Sequence, residues 1–146
     1  MTLEGTLIGF DFGERRIGVA VGETGTRIAN PLGAIDAQAN DARFREIAKL
    51  VEEWHPCGFV VGRPRHADES EHAIAKLAEK FARRLHARYS VPVVMVDETL
   101  SSATAEASLR DSRAGAKRKS DVDAVAAAII LQAYLDDPKS GEHAAS

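Results

Sequence analysis

Carboxylates in unusual surroundings are the residues most able to do chemistry in this chain. Asp11 stands in an apolar run between Phe10 and Phe12, the pair Asp97-Glu98 closes the run Val91 to Val96, and Asp123 opens an alanine-rich stretch. A lone carboxylate in an apolar strand is costly and Asp is depleted in strands, so Asp11 calls for compensation. A metal ion, a cation such as Arg15 or Arg16, or a turn hydrogen bond near Gly13 could each supply it. Three carboxylates brought together from separate elements repel one another unless cations sit between them. Oxygen-only ligands favour Mg²⁺, or Mn²⁺, over zinc. Two such ions roughly 4 Å apart can activate a water and stabilise the leaving oxygen in phosphodiester cleavage.

Each acid also has a plainer reading. Adjacent strand residues face opposite ways, so at most one of Asp97 and Glu98 points into a given site. Asp123 follows Ser120 by three residues, the spacing of a capping box, and negative charge there suits the helix dipole. Asp121 competes as a cap or accessory ligand. Asp11-Phe12-Gly13 with Arg16 and Gly18 could form a hairpin that holds phosphate through backbone N–H groups. No P-loop, GxGxxG, EF-hand loop or zinc-spaced Cys/His set is present.

The net charge of -3 argues against coating nucleic acid through bulk positive charge. Local basic patches remain: Arg110 to Lys119, whose Arg113, Lys117, Arg118 and Lys119 could hold phosphates near the carboxylates, and Arg63, Arg65 and His66. The single cysteine, Cys57, cannot form an internal disulfide and reads as a buried structural thiol. The five histidines fall in helical or polar contexts and read as surface residues.

The elements that must position these residues follow from periodicity. Leu7 to Phe12 and Ile17 to Val21 read as a β-hairpin, and Arg27 to Ile35 as a third strand that Pro31 assigns to an edge. Phe44, Ile47, Leu50, Val51 and Trp54 recur at helical spacing up to Pro56. Cys57 to Val61 then reads as a strand, Ile74 to Tyr89 as a long helix, and Val91 to Val96 as a buried parallel strand. Ser102 to Arg110 reads as a short helix, Asp111 to Ser120 as a loop, and Val122 to Leu135 as a final helix. The 146 residues, 45% hydrophobic and 28% charged, suit one α/β domain over 1–138 with a polar, fraying tail at 139–146. No apolar stretch reaches membrane-span length and no signal-peptide layout opens the chain, so a cytoplasmic protein without membrane contact is expected.

Gly9-Phe10-Asp11-Phe12-Gly13 with Arg16-Ile17-Gly18-Val19-Ala20-Val21 resembles the opening signature of the YqgF/RuvX family. Val60-Val61-Gly62-Arg63-Pro64, Val96-Asp97-Glu98 and Val122-Asp123-Ala124-Val125-Ala126-Ala127 match its later motifs in the same order. The resemblance implies a ribonuclease H-like fold, with three antiparallel strands and two parallel ones flanked by helices. Its matching acidic positions are Asp11, Glu98 and Asp123. It also implies a nuclease that processes the 5′ end of precursor 16S ribosomal RNA, with resolution of branched DNA at Holliday junctions as the older proposed activity.

The chain departs from the family pattern at two places. Thr99 stands where an Arg commonly follows Asp-Glu, and Arg63 could replace that phosphate-facing cation if it points to the site. Arg65-His66-Ala67-Asp68-Glu69-Ser70 also lacks a glycine often found before the serine. A catalytically weakened RNA-binding factor of ribosome assembly is therefore the competing reading from another class. A sugar or acetate kinase of the actin-like type needs two copies of the fold, for which the length leaves no room. Reading a junction in two-fold symmetry would require a dimer.

Overall fold

The computed structural model describes residues 3–64, 69–98 and 119–145. Three strands open the chain as an antiparallel meander: β1 (Thr6–Asp11), β2 (Arg16–Glu23) and β3 (Ile28–Asp36). Helix α1 (Asn40–Trp54) crosses to β4 (Gly58–Pro64), which pairs parallel with β1. Helix α2 (Glu69–Tyr89) crosses to β5 (Val93–Glu98), parallel to β4. Helix α3 (Lys119–Asp136) follows, then a 3-10 turn (Pro138–Ser140) and β6 (Glu142–Ala145), antiparallel to β5. The sheet order is β3-β2-β1-β4-β5-β6.

The five expected strands and their directions are present. Pro31 lies on the edge strand β3, opposite Ala20 and beside a register irregularity, where a missing N–H leaves no partner wanting. Helix α1 stops where His55 turns left-handed, its N–H donating to the Val51 carbonyl, and Pro56 cannot continue the helix. The short helix and the loop expected over 102–118 lie outside the described residues. Lys119 and Ser120 belong to α3, so Ser120 lies within the helix and is not its N-cap.

The tail departs from expectation. Residues 139–146 were expected to fray, yet 142–145 extend the sheet beyond β5, with His143 opposite Val94. The approach depends on Gly141: a Cβ there would lie 2.2 Å from Val94 Cγ1 and 3.2 Å from the Tyr134 ring.

Alternation along the strands sorts the core into two layers. Ile8, Phe10, Phe59, Val61, Val93 and Met95 pack under Phe44 and Ile47 of α1 and Phe81 and Leu85 of α2. Phe81 centres this layer, with ring centroids 5.5 Å from Phe10, 5.3 Å from Phe12 and 5.8 Å from Phe44. On the other face Leu7, Ala20, Val60, Val94 and Val96 meet Ala127, Ile130, Leu131, Tyr134 and Leu135 of α3. Half-buried Cys57 packs at the margin of this second layer, and burial pushes its thiol pKa up. Among the described residues no helix is long and apolar enough to cross a membrane.

Candidate active site

Asp11 is the last residue of β1, and its two neighbours across the sheet are glycines, Gly18 of β2 and Gly62 of β4. Strand parity places it with Leu7 and Gly9 on the face covered by α3. The flanking glycines let α3 sink onto the sheet. A Cβ on Gly18 would lie 2.0 Å from the main-chain oxygen of Asp123, and one on Gly62 would lie 2.3 Å from Ile130 Cδ1. Gly18 therefore receives the first turns of α3.

This seating sets Asp123 over Gly18, the residue paired with Asp11, at a cross-strand Cα separation of about 5 Å between the strand partners. Asp123 Oδ2 accepts a hydrogen bond from Arg16 Nε at 2.8 Å, joining residues 107 positions apart. Arg16 and Asp123 are both about a quarter exposed at the side chain (22% and 25%), so the pair is partly screened by solvent. Asp123 is thus an ion-pair partner of the β1–β2 hairpin, not a helix cap.

The hairpin turn is fixed from the other side by a residue that the motifs did not mark. Arg43 of α1 is 4% exposed. Its guanidinium donates to the carbonyls of Gly13, Glu14 and Ala37 and lies 5.3 Å from the centre of the Phe12 ring. Burial pushes its pKa down while the nearby Glu14 works the other way. Three carbonyl acceptors and an aromatic face explain how a cation sits in this core. A signal existed: Arg43 lies one turn before Ile47, on the apolar stripe of α1.

Arg63 follows Gly62, the register partner of Asp11, by one residue. Its guanidinium bonds Asp97 Oδ1 of β5 (2.9 Å) and Glu79 Oε1 of α2 (3.1 Å), on the face of the sheet opposite α3. Asp97 is thereby committed to that face. Position 98 has the opposite parity, shared with Val94 and Val96 against α3, and its backbone is in register with Pro64. The side chains of Glu98 and Lys119 lie outside the described residues, as do Arg113, Lys117 and Arg118 entirely.

Among the described residues no group of three potential ligands forms. The chemistry of the donors nevertheless fits a hard cation. Asp11 is paired with Gly18 and the main chain of Asp123 lies against that glycine, so two acidic residues from different elements meet at one position, and their side chains offer only oxygen. The local charge is part-neutralised by Arg16, which a cation would have to share or replace.

A mixed sheet of this order, with a carboxylate at the end of its central strand and a helix lowered onto glycines beside it, is a ribonuclease H-like architecture of the RuvC kind. RuvC of Thermus thermophilus bound to a Holliday junction substrate superposes with a TM-score of 0.59 over 96% of this chain and 99% of that one, at 15% identity. A second Thermus thermophilus RuvC structure gives a TM-score of 0.53 over 94% of this chain and 99% of that one, at 16% identity. The chain belongs to the RuvX family, whose profile, described as Holliday junction resolvase, matches residues 5–137. These are nucleases, hydrolases of phosphodiester bonds. A relative from Methylobacillus flagellatus, named as a pre-16S rRNA nuclease, is 55% identical over 90% of this chain and 91% of its own. One from Neisseria gonorrhoeae with the same name is 49% identical over 91% and 89%.

Proposed function

We propose that this chain is a divalent-metal-dependent endonuclease that processes the 5′ end of precursor 16S ribosomal RNA in the cytoplasm, with Asp11, Glu98 and Asp123 as its catalytic carboxylates. The observation that carries the reading is the placement of Asp123 on Gly18, beside Asp11. The names of the relatives supply the substrate.

Asp11, Glu98 and Asp123 would hold Mg²⁺ or Mn²⁺, which supplies Lewis-acid stabilisation of the phosphoryl oxygens and a water made nucleophilic at neutral pH. Asp11 anchors the centre from the rigid middle of the sheet. Arg16 keeps Asp123 oriented and balances its charge. Arg43 holds the turn that carries Arg16, so that the two carboxylates keep a fixed relation. Arg113, Lys117, Arg118 and Lys119, which precede or open α3, hold substrate phosphates as point charges and forks. Arg63 fixes Asp97 on the far face and is left out of this set.

Asp11→Asn keeps the shape and removes the charge. With a precursor RNA fragment it should fold normally and lose Mg²⁺-dependent cleavage by about a thousandfold, the scale of several kcal/mol of transition-state stabilisation. Undiminished cleavage overturns the site. RNA affinity without metal-dependent turnover in the unaltered chain identifies a binding factor instead.

The description of the family favours a second reading, resolution of four-way DNA junctions. Paired, symmetric cutting requires two copies related by a two-fold axis. Faster cleavage of a junction than of the RNA, by a chain that dimerises on it, selects this reading.

A further inference from the structure

Helix α2 carries Lys76, Lys80, Arg83, Arg84 and Arg88, and the one acid between Lys76 and Arg88 is Glu79, which is turned to Arg63. In a chain of net charge -3 this is a local reversal of sign. None of the five cations forms an ion pair among the described residues. All are exposed except the half-buried Arg84.

Lys76, Lys80, Arg84 and Arg88 recur at every fourth position, so they follow one side of the helix at steps of about 6 Å. That side borders α1. Arg88 lies over Phe44, 4.2 Å from the ring centre. Lys80 and Arg84, with Gln38, Asn40 and Arg43, line an open cleft of about 340 Å³ between the two helices. Phe12 and Glu14 line it too. Phe12 directly follows Asp11, so the cleft reaches the end of β1 that carries the proposed catalytic carboxylate. Leu77, 41% exposed, adds apolar surface for a sugar or base.

We propose that this cleft and the cation row of α2 form a second binding site for the phosphodiester backbone, which holds one strand of a folded nucleic acid on the face away from α3 while another part of the same molecule lies at Asp11. The proposal rests on the reading of the chain as a nuclease of structured RNA. A row of cations at regular spacing, without ion pairs among the described residues, neutralises phosphates and so releases the counterions condensed on the nucleic acid. The amides of Gln38 and Asn40 add hydrogen bonds that do not depend on sequence.

The test is binding of a fluorescent RNA stem–loop with single-stranded arms, by anisotropy in metal-free buffer over a salt series. Lys80→Glu/Arg84→Glu should weaken binding about tenfold or more and flatten the plot of log K against log[salt] by about 1.5, the share of two phosphate contacts. Lys76→Glu/Lys80→Glu, which alters exposed residues alone, should act in the same direction. Lys49→Glu/Lys139→Glu makes the same charge change elsewhere and should leave affinity near that of the unaltered chain. Inorganic phosphate or polyglutamate at matched charge should compete poorly. Unaltered-chain affinity and slope in both α2 variants, an equal loss in the Lys49/Lys139 control, or equal competition by phosphate or polyglutamate overturns the site. If the unaltered chain cleaves RNA and the α2 variants bind it normally, this inference alone fails. If the unaltered chain does not bind RNA, the function proposed above fails with it.

Discussion

The two faces of the sheet use the same strands for opposite purposes. Toward α1 and α2, β1 presents Ile8 and Phe10, both fully buried, and the chain continues into Phe12. Toward α3 the intervening positions of the same strand are Leu7, Gly9 and Asp11, and a Cβ on Gly9 would lie 2.8 Å from Leu131 Cβ. One face is filled by rings and branched side chains that interlock. The other is stripped down so that a helix can come close and carry a carboxylate with it. Dense packing and the candidate site are therefore separated by the pleat of a single strand, and Arg43, which reaches the hairpin turn from the aromatic side, links the two faces.

That division can be broken by substitution. Phe81→Ala removes the ring shared by Phe10, Phe12 and Phe44 and should cost about 3–5 kcal/mol in urea unfolding, the usual range for Phe truncation in a core. Its folded fraction should still cleave RNA with metal; loss of both would show that the faces are not separable. Arg43→Ala leaves three carbonyls without their donor and should cost about 2–3 kcal/mol. Unlike Phe81→Ala, it should also slow cleavage by the folded fraction, because the turn bearing Arg16 loosens.

The α3 face should respond to added volume rather than to its loss. Gly18→Ala forces Asp123 away and should cost about 1–2 kcal/mol in the same unfolding measurement, with cleavage lowered further than stability alone explains. Gly33→Ala in β3, where a Cβ meets nothing within 4 Å, should change stability by less than about 0.5 kcal/mol. Arg16→Ala, at a partly exposed ion pair, should cost under about 1 kcal/mol of stability. It should tighten Mn²⁺ binding in calorimetry, since Asp123 no longer shares its charge. Unchanged or weaker Mn²⁺ binding would place the cation away from Asp123.

Much of this arrangement was readable along the chain because local patterns and the final packing agree. The alternation of β1, the helical spacing from Phe44 to Trp54 and the edge role of Pro31 each follow from nearest neighbours. Asp11 stood out because a carboxylate between two phenylalanines needs a reason. The strand end alone does not choose between Asp97 and Glu98, and the ion pair of Asp97 with Arg63 joins it to a residue that no local pattern names. What stayed hidden depends on distant partners. Nothing near Asp123 announces an ion pair with a residue 107 positions earlier, so the capping reading looked adequate. The tail looked unstructured because Glu142 to Ala145 have little strand preference of their own, and their strand exists through register with β5.

That last strand bears on what the sheet offers to other chains. A sheet edge with free N–H and C=O groups is a template for joining another chain, most of all when its residues are apolar. β3 guards one edge with Pro31 and a register irregularity. At the other edge β6 covers Val93 to Met95, so the apolar strand that ends in Asp97-Glu98 is an inner one. Trimming the chain before Glu142, or pulling that segment away with a fusion, would uncover β5 and favour aggregation.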